Sequence, residues 1–194
     1  IATTVAEAAD LVERARSRGL VLQVGHLERF NAALRNVEPL ITRPLFIESH
    51  RLAPFKGRGA DVDVVLDLMI HDIDLIAYLV PAALETLDAS GAAVISDAFD
   101  IVNARLRFEN GCVANVTASR VTLKEERKLR IFQPDSYLSL DLHARRASLY
   151  SRTGGGGEQG LPDFSVEKRS FETGDALEAQ IASFLEAVRT GSEP

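Results

Sequence analysis

Val102-Asn103-Ala104-Arg105-Leu106-Arg107-Phe108, then Glu109-Asn110-Gly111, then Cys112-Val113-Ala114-Asn115-Val116-Thr117-Ala118 is the stretch on which the fold turns. Val102, Ala104, Leu106 and Phe108 alternate with Asn103, Arg105 and Arg107. Beyond Asn110-Gly111, Cys112, Ala114, Val116 and Ala118 alternate with Val113, Asn115 and Thr117. Such alternation marks strands with one buried face, and Asn-Gly between them marks a hairpin. Register selects the loop. A two-residue turn pairs Leu106 with Asn115, apolar against polar. A three-residue loop, Glu109 to Gly111, pairs Phe108 with Cys112 and Leu106 with Ala114, and so keeps one face apolar. Gly111 then takes a left-handed bulge position. The other sheet face, with Asn103, Arg105, Arg107, Asn115 and Thr117, meets solvent or a polar partner surface.

Working outward, more strands are predicted at Leu129–Phe132, Tyr137–Leu142, Ala147–Tyr150 and Phe164–Phe171. Gly154 to Gly157 lacks a following Gly-Lys-Ser/Thr, so it reads as a hairpin tip and not as a phosphate loop. Asp175 with Glu178 forms a capping box for a last helix, with Leu177, Ile181, Phe184, Leu185 and Val188 as its buried stripe and Gly191 as its stop. Before the hairpin, Asn31 caps a helix with Leu34, Val37, Leu40 and Ile41 on one face, broken by Pro44. Leu45–Leu52 is a strand, Pro54–Ala60 a loop, and Val62–Val80 the longest helix. Thr4 with Glu7 opens the first helix, Gly19 ends it, and Leu20–Val24 is apolar throughout, as in a strand buried on both faces. A helix followed by such a strand is half of a βαβ unit. Residues 1–25 therefore read as the tail of a doubly wound domain. Residues 26–194 read as an α+β domain, an open, mostly antiparallel sheet with helices on one face.

The chain has 194 residues, enough for one domain or one domain with a piece of another at roughly 150 residues each. Lys and Arg number 22 and Asp and Glu 28, so the net charge is −6, which argues against nucleic-acid binding driven by bulk charge. The single cysteine, Cys112, cannot form an internal disulfide. No apolar run approaches the ~20 residues of a membrane span and no signal peptide opens the chain. The expectation is a cytoplasmic protein. The start at Ile1 instead of Met suggests a fragment or a processed product.

The long helix carries the chemistry. At roughly 100° per residue, Asp63, Asp67, His71 and Asp74 fall within an arc of about 80° on a helix otherwise built of Val, Leu, Met and Ile. Asp67 and His71 at i, i+4 can touch, and a neighbouring carboxylate raises a histidine pKa and fixes its tautomer, as general acid–base work requires. A solvated helix face is the plainer alternative. Gly25-His26-Leu27-Glu28-Arg29-Phe30-Asn31 follows the apolar run, where open α/β sheets bind ligands, so His26, Arg29 and Asn31 border a crevice. Asn31 as a simple cap is the alternative there. Lys56-Gly57-Arg58-Gly59 places two cations in a glycine-flexed loop suited to a phosphate or diphosphate. No Cys/His cluster has structural zinc spacing.

Gly25-His26, Arg29-Phe30-Asn31 and Val65-Leu66-Asp67-Leu68-Met69-Ile70-His71-Asp72-Ile73-Asp74 make the chain resemble the Gfo/Idh/MocA oxidoreductases. The family's helix typically reads Leu-Asp-x-Gly-x-His-x-x-Asp, and here Met69 replaces the Gly. Where the family commonly has Pro after Arg-Phe-Asn, this chain has Ala32. The resemblance implies a dinucleotide-binding Rossmann domain ending in residues 1–25, with NAD or NADP held mainly by residues this chain lacks. It also implies a sugar, polyol or sugar-nucleotide substrate and a homo-oligomer joined through the open sheet face. On this resemblance, Asp67 and His71 are the catalytic pair, completed by a family lysine that would precede Ile1. His26, Arg29, Asn31, Lys56, Arg58 and Asp74 contact substrate, and Arg29 also contacts the cofactor. The wording His26-Leu27-Glu28-Arg29-Phe30-Asn31 and Arg51-Leu52-Ala53-Pro54-Phe55-Lys56-Gly57-Arg58-Gly59 is similar to the branch that oxidises UDP-N-acetylglucosamine at its 3-hydroxyl.

Two other functions compete. A metal-dependent phosphohydrolase would use His50, His71, Asp72 and Asp74 as ligands, although Asp72 points about 100° away from His71 on an ideal helix. A non-catalytic dimerisation or binding module would use the polar sheet face alone.

Overall fold

The computed structural model describes residues 2–56, 62–156, 162–172 and 174–192. Eight strands form one open sheet: β1 (Phe46–Leu52), β2 (Leu84–Ala92), β3 (Ile101–Phe108), β4 (Val113–Ser119), β5 (Glu126–Gln133), β6 (Ser136–Asp141), β7 (Arg146–Gly156) and β8 (Pro162–Ser170). Their spatial order is β2-β3-β4-β1-β5-β6-β7-β8. Among the described residues only β1 with β4 runs parallel. The hairpin has the expected register: Leu106 pairs with Ala114, and the Phe108 N–H donates to the Cys112 carbonyl at 2.9 Å. Gly111 has φ 84°, and the Asn110 side chain accepts from the Cys112 N–H at 3.0 Å.

Period two decides which side of the sheet each residue meets. Ile47 on β1, Val102 to Phe108 on β3, Ala114 to Ala118 on β4, Leu129 and Ile131 on β5, and Leu138 and Leu140 on β6 supply the buried face. Helices α2 (Ala32–Val37) and α3 (Ile70–Leu79) cover it with Leu34, Val37, Leu75 and Ile76. Strands β2 and β8 close the two edges, and β2 is exposed along its whole length. On the uncovered face Asn103 donates to Thr117 at 2.9 Å and Arg105 to Asn115 at 3.1 Å. Further across, an aromatic row replaces polar residues: Phe132 stacks on Tyr137 and Tyr137 on Tyr150, with ring centroids 4.8 and 4.9 Å apart. Phe46 meets Phe132 edge-on.

Four expectations change. The helix capped by Asn31 ends at Val37 and continues only as a 3₁₀ turn, Glu38–Leu40. Pro39 inside that turn has no N–H with which to continue the α ladder. The long helix begins with a π-helical segment, Val65–Met69, ahead of α3. Leu20–Val24 is not a strand, and Leu20, Leu22 and Val24 are exposed. A buried parallel strand needs hydrogen-bonded neighbours, and no described residue provides them. Finally, the apolar stripe of α4 (Ala176–Thr190) is not buried: Leu177, Ile181, Leu185 and Val188 are exposed, because the helix packs mainly on the 3₁₀ turn Leu27–Phe30. The first helix, α1 (Val5–Ser17), likewise buries no residue.

Candidate functional site

Two segments converge over the sheet at β1. One is the turn 26–31, which leads into α2. The other is the π segment with α3. Asn31 fixes the first. Its Oδ1 accepts from the Ala33 N–H at 3.0 Å, capping α2, while its amide donates to Glu28 at 3.1 Å and to the Leu142 carbonyl at 3.0 Å. Asp63 fixes the second by accepting from the N–H groups of Val65 and Leu66. Asp63 therefore serves as a cap and leaves the acidic stripe.

Arg29 reaches from the turn to α3 and grips Asp74 with two bonds, Nε to Oδ2 at 2.8 Å and Nη2 to Oδ1 at 2.6 Å. Its guanidinium lies over the Tyr78 ring, 5.1 Å from the centroid. His26 Nε2 stands 3.6 Å from Asp74 Oδ1, and its ring meets that of His71 edge-on at 6.3 Å. His26, Arg29 and Asp74 thus form one cluster, and they line a cavity of about 400 Å³ between the 22–24 segment, α3 and α4.

His71 is half-buried, and its Nδ1 is buried with no hydrogen-bond partner among the described residues. Burial pushes its pKa below the ordinary 6.5, and the Arg51 charge lowers it further against Glu28 and Asp72. This reverses the expected rise. The expected contact is also missing, for no hydrogen bond joins Asp67 to His71 among the described residues. A π turn brings residues i and i+5 into register instead of i and i+4, which breaks the stripe drawn at 100° per residue. Asp67 remains half-exposed one turn before His71.

The periodicity argument passed over Arg51, Asp72 and Glu28. Arg51 and Asp72 are buried together, with Arg51 Nε 2.5 Å from Asp72 Oδ2. Ser49 Oγ donates to Asp72 Oδ1 at 2.8 Å, and Arg51 Nη1 to Glu28 at 3.0 Å. A signal was present, since Ile47, Ser49 and Arg51 share one parity on β1, and an inward arginine demands carboxylate partners. Both Asp72 oxygens are engaged by Arg51 and Ser49, which removes the ligand a phosphohydrolase site would need. Among the described residues no three His, Cys, Asp or Glu side chains gather to hold a metal. Lys56 is exposed, and Arg58 lies outside the described residues.

Comparison with known proteins places this chain in a family. Residues 24–136 match the model of the GFO/IDH/MocA C-terminal domain. The chain is 39% identical over 183 residues to UDP-N-acetylglucosamine 3-dehydrogenase of Acidithiobacillus ferrooxidans, covering 94% of this chain and 58% of that protein. A solved structure of that enzyme superposes with a TM-score of 0.88 at 38% identity, over 96% of this chain and 60% of its own. Levoglucosan dehydrogenase in complex with NADH and levoglucosan shares the fold, with a TM-score of 0.73 at 16% identity, over 91% of this chain and 59% of its own. The chain thus spans somewhat more than half the length of these relatives. The match over residues 24–136 and the 39% identity across most of its length show that this chain belongs to the Gfo/Idh/MocA oxidoreductase family.

Proposed function

We propose that the chain is the substrate-binding part of an NAD(P)-dependent dehydrogenase that oxidises a secondary hydroxyl of a sugar nucleotide, with UDP-N-acetylglucosamine at its 3-hydroxyl as the favoured substrate. His71 is the observation that carries this reading. Oxidising an alcohol removes a hydride from carbon and a proton from oxygen, and a base must be neutral to take that proton. A half-buried imidazole with a lowered pKa and an unpartnered ring nitrogen suits the task. Asp67, one turn earlier, orients the hydroxyl. His26 and the Arg29–Asp74 pair border the sugar, and Lys56 with Arg58 supplies charge for the diphosphate. The identity with the Acidithiobacillus enzyme supports the choice of substrate.

NAD or NADP, when bound, supplies the hydride acceptor. Among the described residues no strand runs through a glycine-rich turn into a helix, the arrangement that cradles a dinucleotide. On this reading cofactor binding falls mainly to the part of the relatives that this chain does not cover, with Arg29 at its edge. Residues 1–25 are assigned to that dinucleotide-binding domain. In support, α1 buries nothing, Leu20, Leu22 and Val24 are exposed, and the family match begins at residue 24. Residues 26–194 make the substrate and oligomerisation domain.

A homo-oligomer through the open sheet face belongs to the same proposal, supported by the Phe46, Phe132, Tyr137 and Tyr150 row. So does a cytoplasmic site of action, with Cys112 buried and unpaired. No helix among the described residues is long and apolar enough to cross a membrane.

The test is NAD reduction by the full-length enzyme on a panel of UDP-N-acetylglucosamine, UDP-glucose and free sugars. Turnover favouring the first supports the proposal. Turnover of free sugars alone removes the sugar-nucleotide assignment, and no turnover of any removes the dehydrogenase.

A further inference from the structure

A buried ion cluster lies between the helix layer and the sheet. Arg51, 4% exposed, sends Nε to Asp72 Oδ2 at 2.5 Å, Nη2 to Asp72 Oδ1 at 3.4 Å and Nη1 to Glu28 Oε1 at 3.0 Å. Arg127 Nη1 approaches Glu28 at 3.5 Å, so two cations face two carboxylates. Asp72 follows His71 on α3. Glu28 sits between His26 and Arg29. One guanidinium from β1 therefore joins the helix bearing the candidate base to the turn bearing its neighbours.

We propose that Arg51 is a positioning residue for His71: it fastens α3 and the 26–31 turn to β1 through Asp72 and Glu28. This rests on the reading of His71 as the base. The charged and titratable groups that act on His71 include Arg51 from β1, Asp72 from its own helix, and Glu28 and His26 from the turn, the His26 ring lying 6.3 Å from it. Their signs oppose one another. Arg51 and His26 disfavour the imidazolium, and the two carboxylates favour it. Loss of the Arg51 charge must therefore raise the pKa of His71, and loss of the Asp72 charge must lower it.

The test is the acid limb of the kcat/KM pH profile, measured on full-length enzyme with NAD and UDP-N-acetylglucosamine, since this limb reports the base in the free enzyme. Arg51→Met moves the limb up by about one pH unit, and Asp72→Asn moves it down. Arg51→Lys keeps the charge and leaves the limb in place, while kcat falls because the two-pronged geometry is lost. General damage to the fold does not move one limb in opposite directions. Should Arg51→Met fail to fold, Arg51→Lys and Asp72→Asn decide the matter. Limbs that stay put, or move the same way in Arg51→Met and Asp72→Asn, overturn the proposal. His71→Gln separates the two readings. If it abolishes the limb while the other variants leave theirs unmoved, only the role of Arg51 falls. If it keeps both limb and turnover, the base assignment falls and the proposal with it.

Discussion

Arg29 and Asp74, 45 residues apart in the chain, meet through two parallel bonds of 2.8 and 2.6 Å. With Arg51 bridging Glu28 and Asp72, this gives the 26–31 turn two separate ties to α3. The pair is partly buried, with Asp74 10% and Arg29 38% exposed, so solvent screens it only in part. Asp74→Asn keeps the shape and removes the charge. It is expected to cost about 2 kcal/mol in urea unfolding, with a smaller loss of turnover than a change at His71. A wild-type unfolding midpoint in that variant would show that the tie does not hold the turn.

Asp100 is expected to make stability depend on acid pH. Burial alone would raise its pKa. Instead the N–H groups of Val94, Ile95 and Ser96, the Ser96 hydroxyl and the Arg120 guanidinium hold it far below the ordinary 3.8. A folded-state pKa below the unfolded one adds stability that is present above the unfolded value and lost as pH falls toward the folded one. The stability gap between wild type and Asp100→Asn is therefore full at neutral pH and shrinks below about pH 4. Chemical denaturation at a series of pH values checks this, and a gap independent of pH contradicts it.

Gly111 holds the three-residue hairpin loop at φ 84°. A side chain there meets no neighbour within 4 Å, so the cost of Gly111→Ala is purely conformational, about 1 kcal/mol. Thermal unfolding measures it. A variant as stable as wild type would mean that the loop relaxes into another turn.

The aromatic row on the open face predicts self-association. Phe132→Lys puts a charge between the Phe46 and Tyr137 rings. Sedimentation is expected to show an oligomer for wild type and a smaller species for the variant. Identical sedimentation of the two would exclude this face as the contact.

The alternation around Asn110-Gly111 made the sheet legible because period two, the turn residues and the burial pattern all agree there. The caps Thr4, Asn31 and Asp175 were legible for the same local reason. Leu20–Val24 and the α4 stripe were misplaced because apolar composition tells that a surface wants cover, not what covers it. The π turn at Val65–Met69 was invisible to a reading at 100° per residue, and the charges acting on His71 include Arg51 and Asp72, which that reading left out. The second site residues lay in plain view as Arg51 on an inward parity, but a single inward charge has meaning only once its partners from distant segments are in place.

The most direct test of the account is steady-state kinetics of His71→Gln in the full-length enzyme with NAD and UDP-N-acetylglucosamine, alongside substrate binding by calorimetry. Loss of a general base predicts a fall in kcat of roughly 10²–10⁴-fold with the dissociation constant for the UDP-sugar changed little. Turnover equal to wild type, or a loss confined to binding, would contradict it.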